Sequence, residues 1–72
     1  MPTNLSILAQ QLRSAVLDQT GRRVWNLAVE ISAESVVLRG NSSSFYAKQL
    51  AQESVRRMLP ALRLVNAINV AA

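Results

Sequence analysis

The stretch that decides the fold, residues 36–70, reads VVLRGNSSSFYAKQLAQESVRRMLPALRLVNAINV. It opens with an aliphatic run that ends at Gly40, passes through three serines into a segment with helical spacing, and closes on a second aliphatic run. This order predicts a strand over 35–41, a helix over 44–59 and a strand over 64–70. A connection of this length allows a right-handed crossover, so the two strands should run parallel.

The second helix has clear start and stop signals. Ser42, Ser43 and Ser44 are candidate N-caps, and Ser44 fits the following register best. Pro60 cannot continue the hydrogen-bond ladder, so the helix should end near Leu59. One helical face carries the predicted core positions, which are Ala47, Leu50, Ala51, Ser54, Val55 and Met58.

The N-terminal part predicts a first helix over 4–19, with Thr3 or Asn4 as its cap and Gly21 as its left-handed C-terminal residue. Its apolar face consists of Leu5, Leu8, Ala9, Leu12, Ala15 and Val16. Ile7 and Leu17 lie off that face, where they either contact other elements or are exposed.

A further strand is predicted over 24–31, paired with the strand over 35–41 as a hairpin. Strict alternation places Trp25, Leu27, Val29 and Ile31 on its core face and Val24, Asn26, Ala28 and Glu30 on its outer face.

We therefore expect one α+β domain over residues 1–72, in the order α-β-β-α-β, with two helices packed on one face of a small three-stranded mixed sheet. The other sheet face should carry a mild apolar strip of Val24, Ala28, Val37 and either Val65 or Ala67. Scattered aliphatic residues need no explanation there, whereas a contiguous patch would suggest self-association through that face or an edge strand.

The composition argues against catalysis and against bound cofactors. The 72 residues include no cysteine and no histidine, which removes disulfides, thiolate or imidazole metal sites and the usual general base of hydrolases. The four acidic residues fall on separate elements, and no serine has a partner at a recognisable catalytic spacing. We expect no enzyme, no metal and no cofactor.

A pattern over about residues 24–70 combines four features. They are the alternating aliphatic residues of the first strand, a V-x-L-x-G strand, an Ala-containing helix and a closing aliphatic run around Asn66. Gly40 and Asn66 are its sharpest positions. The pattern resembles a BON domain, the module named for bacterial osmotically induced and nodulation proteins. Its matching residues are Leu27, Val29, Ile31, Val36, Leu38, Gly40, Leu50, Ala51, Val55, Leu62, Val65, Asn66, Ile68 and Val70.

The resemblance implies binding to phospholipid surfaces, envelope proteins or other copies of the module, generally in bacteria and in the periplasm. The N-terminal residues have no secretory leader, and no apolar run approaches the ~20 residues that span a bilayer. We therefore expect a cytoplasmic location if the chain is complete, and a periplasmic one if it is a domain of a longer family member.

The charge of the chain is +4, and seven of its eight cations are arginine, which suits contact with carboxylate or phosphate. Solubility alone also accounts for a charge of this size. Arg56 and Arg57 complement the dipole of the second helix, with Glu53 three and four residues earlier as an ion-pair partner. The alternative is an anion-binding patch formed by Arg56, Arg57 and Arg63 and extended by Arg22 and Arg23.

Phe45 and Tyr46 start the second helix, close to Lys48. First-turn aromatic residues more often fold over the sheet edge, so we expect packing, with insertion into lipid headgroups or stacking on a base as the alternatives. Trp25 is expected in the core.

The leading hypothesis is a non-catalytic module that recognises anionic phospholipid or protein surfaces through the basic and aromatic edge of the second helix. The alternative is a homo-oligomeric scaffold protein that associates through the outer sheet face or an edge strand. Nucleic-acid binding is a weaker hypothesis than these two, because the chain has no GxxG loop and no aromatic pair on a central strand.

Overall fold

The structure, a computed structural model, describes residues 4–71. Its elements follow the order α-β-β-α-β, which confirms the predicted α+β fold. They are α1 (Asn4–Gln19), β1 (Val24–Ile31), β2 (Ser35–Ser42), α2 (Phe45–Met58) and β3 (Arg63–Val70). The sheet order is β1-β2-β3, with β1 antiparallel and β3 parallel to the central strand β2. The two helices contact each other, while α1 packs mainly on β1 and α2 mainly on β3.

The boundaries of α2 follow from local chemistry. Ser44 has an extended backbone (φ −160°, ψ 160°), and its Oγ accepts a hydrogen bond from the Ala47 N–H at 3.1 Å. At the other end the Leu59 N–H donates to the Val55 carbonyl at 2.8 Å, and Pro60 follows. The predicted cap and the predicted stop are therefore both present.

The exit from α1 uses two residues in the left-handed region, Gly21 (φ 59°) and Arg22 (φ 63°). Thr20, which is buried, donates its hydroxyl to the Val16 carbonyl at 2.8 Å, so its polar group is satisfied inside the core. Of the predicted N-cap residues, Thr3 lies outside the described residues and Asn4 is the first residue of α1.

A β-bulge in β1 overturns the predicted placement of two residues. The register pairs Trp25 with Asn41 and Ala28 with Arg39, so β1 has one more residue than β2 over this interval, and Asn26 there adopts φ 53°. An extra residue reverses the alternation of side chains. Val24 is consequently buried in the core rather than on the outer face, and Trp25 lies on the outer face with 43% of its surface exposed.

Gly40 lies opposite the bulge and is required by it. Its φ is 153°, and a Cβ atom there would lie 3.0 Å from the Trp25 carbonyl oxygen and 3.1 Å from that of Asn26. The bulged backbone therefore fills the space that any larger residue would need.

The core is aliphatic and lies between the helices and the even-numbered residues of β2 and β3. Its buried members are Leu12, Val16, Val24, Leu27, Val36, Leu38, Ala47, Ala51, Val55 and Ile68. Leu5 and Met58, predicted on core faces, are exposed because they lie near the ends of α1 and α2. Leu17 packs against the core, and Ile7 is exposed.

The turn between β1 and β2 uses serine side chains in place of glycine. The Ser32 N–H donates to the Ser35 carbonyl at 2.8 Å, and the Ser35 N–H donates to the Ser32 Oγ at 3.2 Å. The Glu34 carbonyl then accepts from the Arg63 N–H at 3.1 Å, which joins this turn to the start of β3.

Candidate functional site

Apart from Lys48, the predicted site residues fall into two groups at opposite ends of α2. The helix starts beside Ser42, the last residue of β2, and ends just before β3. At a rise of about 1.5 Å per residue, Tyr46 and Arg56 are roughly 15 Å apart along the axis. We call Arg22, Arg23, Phe45 and Tyr46 the aromatic end, and Arg56, Arg57 and Arg63 the basic end.

The aromatic end is built from the loop after α1 and the first turn of α2. The Ser43 N–H donates to the Arg23 carbonyl at 3.1 Å, which joins that loop to the start of the helix. Arg23 and Tyr46 also line one shallow hollow, together with Asp18 and Leu50. Residues far apart in sequence are thus brought to one surface.

Phe45 and Tyr46 are solvent-exposed, so the expectation that they pack over the sheet edge is wrong. Phe45 is 72% exposed and Tyr46 is 60% exposed. The reason is helical geometry, because the positions of α2 that face the sheet are taken by Ala47 and Ala51, both fully buried. The first-turn aromatic residues therefore project away from the core.

The arginines of the aromatic end have a fixed backbone and available side chains. The Arg22 N–H donates to the Leu17 carbonyl at 3.1 Å, and the Arg23 N–H donates to the Thr20 carbonyl at 3.1 Å. Both residues are exposed. Over residues 4–71 the single ion pair joins Arg39 and Glu30 at 3.6 Å, so neither guanidinium is engaged by a carboxylate, including the nearby Asp18.

The basic end is less compact than predicted. Arg56 and Arg63 line a hollow with Pro60, Leu62 and Leu64. Arg57 is rotated about 100° from Arg56 around the helix, and it points toward the side of α2 that carries Tyr46 and Leu50. Arg63 also borders a second hollow that contains Glu34, at the β1–β2 turn.

The predicted ion pairs of Glu53 with Arg56 and Arg57 are absent from the described part of the chain. All three side chains are exposed, where an ion pair in water offers at most about 1 kcal/mol against the entropy of holding two long side chains. Both arginines do lie in the last turn of α2, where they complement the helix dipole as predicted.

Lys48 belongs to neither end. It is half-buried, and its carbonyl accepts a hydrogen bond from the Asn66 Nδ2 at 3.1 Å. The same Nδ2 contacts the Gln52 Oε1 at 3.4 Å, while the Asn66 Oδ1 accepts from the Ile68 N–H at 3.3 Å. Asn66 thus joins α2 to β3, and Lys48, Gln52 and Arg56 form the side of α2 that faces this strand.

The outer sheet face contains a residue that sequence alternation misplaced. The register puts Ala28, Val37, Val65 and Ala67 on this face, around the Glu30–Arg39 ion pair, and the bulge adds Trp25. Trp25 and Val65 are 43% and 44% exposed. Asn26 was the sequence signal for the bulge, since asparagine in mid-strand favours the left-handed conformation that a bulge uses.

No protein-family model, no curated protein and no solved structure matches this chain. Neither helix in the described range 4–71 has the length and hydropathy required to cross a bilayer.

Proposed function

We propose that this chain is a non-catalytic module that binds anionic phospholipid surfaces through its aromatic end. The observation that carries the proposal is the pairing of two exposed aromatic side chains, Phe45 and Tyr46, with two arginines that form no ion pair in residues 4–71. Aromatic rings partition into the headgroup layer, and guanidinium groups bind lipid phosphate. The Ser43–Arg23 hydrogen bond joins the two segments, and Arg23 and Tyr46 line one hollow, so we expect the four side chains to reach a flat surface together.

The expected affinity is modest. Each cation near an anionic bilayer contributes about 1 kcal/mol, and partial burial of each aromatic side chain contributes roughly 1–2 kcal/mol at ~25 cal/mol per Å². The favourable terms sum to only about 4–6 kcal/mol, so binding should be reversible and salt-sensitive. Such a surface suits regulated attachment or avidity between several modules rather than permanent anchoring.

Co-sedimentation with vesicles of phosphatidylglycerol and phosphatidylcholine, compared with pure phosphatidylcholine, tests the proposal. We expect binding to the anionic vesicles alone and loss of at least about tenfold in affinity for Phe45→Ser with Tyr46→Ser. Two double variants give a matched comparison at equal net charge. Arg22→Gln with Arg23→Gln should weaken binding strongly, whereas Arg56→Gln with Arg57→Gln should weaken it little.

Three results would contradict the proposal. The first is failure to bind either vesicle at low salt, and the second is equal binding to both. The third is equal loss for the two double arginine variants, which would show attraction by net charge alone. If the chain does not bind vesicles but binds an acidic protein surface, the result would support the other anionic partner predicted from the sequence, which is a protein.

A second candidate function, self-association through the outer sheet face, is favoured by the exposure of Trp25 beside an aliphatic strip. Glu30 and Arg39 lie on the same face, so a two-fold axis could bring each carboxylate to the guanidinium of the other copy. We expect Trp25→Ser to shift any such equilibrium toward the monomer. Light scattering that shows a monomer up to millimolar concentration would exclude this function.

A further inference from the structure

The strand β3 has an open edge, and the observed hydrogen bonds show which of its backbone groups point toward that edge. It pairs only with β2 in the sheet of the described residues. The Arg63 N–H donates to the Glu34 carbonyl and the Ala71 N–H donates to the Ser42 carbonyl, so odd-numbered residues face β2. In a parallel ladder the alternate residues face the opposite way. The N–H and C=O groups of Leu64, Asn66, Ile68 and Val70 therefore point to the open edge.

One of these edge groups is already occupied. The Ile68 N–H donates to the Asn66 Oδ1 at 3.3 Å, which agrees with the derived direction. The N–H groups of Leu64, Asn66 and Val70 remain for a partner strand. The half of β3 nearest Arg63 is thus the more accessible half.

The opposite edge of the sheet is protected, and β3 is not. The edge at β1 is interrupted by the bulge, and the Arg13 Nε donates to the Leu27 carbonyl at 3.1 Å. Bulges and covering side chains are the usual means of blocking strand addition. The eight residues of β3 run in unbroken register with β2 and contain no proline.

The chemistry beside the open edge is cationic. Lys48 and Arg56 lie on the side of α2 that faces β3, and Arg63 starts the strand. Arg56 and Arg63 share a hollow with Leu64, and none of the three cations forms an ion pair within residues 4–71. A second copy paired here in antiparallel fashion would bring like charges of two α2 helices together, which disfavours it.

We propose that the open edge of β3 binds an extended acidic segment of another protein by strand addition. The main chain of that segment would pair with Leu64, Asn66 and Val70. Side chains of a strand alternate between the two faces, so acidic residues at every second position would reach Lys48 and Arg56. The intervening positions would lie beside Val65 and Ala67 on the outer face and should be aliphatic. This surface is separate from the aromatic end.

An amide chemical-shift titration of the ¹⁵N-labelled 72-residue chain with a peptide of alternating valine and glutamate tests the proposal. We expect the largest shifts at the edge-facing amides of Leu64, Asn66 and Val70, and smaller shifts at Val65 and Ala67, whose N–H groups are bonded to β2. A peptide with the same charges and N-methylated backbone should bind about tenfold more weakly, because it loses two or more hydrogen bonds.

Charge reversal supplies the second test. Arg56→Glu with Arg63→Glu should weaken the glutamate peptide at least about tenfold and strengthen binding of a valine–lysine peptide. The matched control, Arg22→Glu with Arg23→Glu, should keep peptide binding while it loses vesicle binding. The two proposals can therefore fail separately.

Three outcomes would overturn strand addition. The first is that the N-methylated peptide binds as well as the parent peptide, which would indicate attraction by charge alone. The second is that the chemical shifts caused by the peptide centre on the aromatic end. The third is that the chemical shifts of the β3 amides change with protein concentration in the absence of peptide, which would assign the edge to a second copy.

Discussion

Substitution of Gly40 by alanine should strongly destabilise this chain. The added Cβ would lie 3.0 Å from the Trp25 carbonyl oxygen, 3.1 Å from that of Asn26 and 3.2 Å from the Leu27 Cα. All three contacts are backbone atoms, so they cannot be relieved by a rotamer change. The φ of 153° adds a conformation that L-residues rarely adopt.

The expected loss of stability has two sources, the unfavourable φ and the crowding of the added Cβ. Backbone strain of this kind costs about 1–3 kcal/mol, and overpacking costs about 1–3 kcal/mol. We therefore expect Gly40→Ala to lower the free energy of unfolding by roughly 2–6 kcal/mol. A domain of this size has a total of about 4–11 kcal/mol, so the variant should be largely unfolded at moderate urea concentrations.

Urea unfolding followed by circular dichroism measures the effect, with trimethylamine N-oxide to extend the folded baseline. The matched control is Gly21→Ala, because Gly21 also has positive φ (59°) but nothing within 4 Å of its added Cβ. That variant should lose about 1 kcal/mol. If the two variants lose equal stability, the close approach of the bulged strand to Gly40 is refuted.

Substitutions at Ser44, Asn66 and Asn26 test local parts of the fold by the same urea measurement. Ser44→Ala removes the N-cap of α2 and should cost about 1 kcal/mol, whereas Ser43→Ala should change little. Asn66→Ala removes the hydrogen bonds between α2 and β3 and should cost about 1–3 kcal/mol, with a matching rise in hydrogen exchange at the Ile68 amide. Asn26→Gly should be neutral and Asn26→Val should cost about 1–2 kcal/mol, because only the valine opposes the left-handed backbone of the bulge.

The sequence was sufficient to predict the fold because local and long-range signals agree. The serine cap and Pro60 bound α2, Gly21 ends α1, and the two aliphatic runs fix β2 and β3 in parallel. The observed bounds of α1 and β1 equal the predicted ones, while β2, α2 and β3 differ by one residue at their ends. Hydrophobic periodicity and turn chemistry are local properties, so one chain displays them directly.

The prediction from alternating side chains was wrong for Val24 and Trp25 of β1, because strict alternation assumes a strand without a bulge. The bulge depends on a partner, since two residues of β1 oppose Gly40 of β2. Asn26 and Gly40 are both visible in the sequence, but their opposition depends on the register of the hairpin. The exposure of Trp25 and the burial of Val24 follow from that register and not from β1 alone.

The candidate site was predicted as one edge of α2, and the structure divides it. A helix of 14 residues separates its first-turn aromatic residues from its last-turn arginines. Which loop joins each end depends on the direction of α2 across the sheet, and the Ser43–Arg23 hydrogen bond brings Arg22 and Arg23 to the aromatic end. Sequence spacing along α2 could not supply that long-range contact.

The most direct test of the proposed membrane binding is paramagnetic broadening of backbone amides by spin-labelled lipid in anionic nanodiscs. Arg22, Arg23, Phe45 and Tyr46 should broaden most, together with the adjacent residues 43 and 44, and the basic end should broaden least. The broadening should vanish in neutral nanodiscs. Broadening centred on Arg56, Arg57 and Arg63, or no broadening in anionic nanodiscs at low salt, would contradict the account.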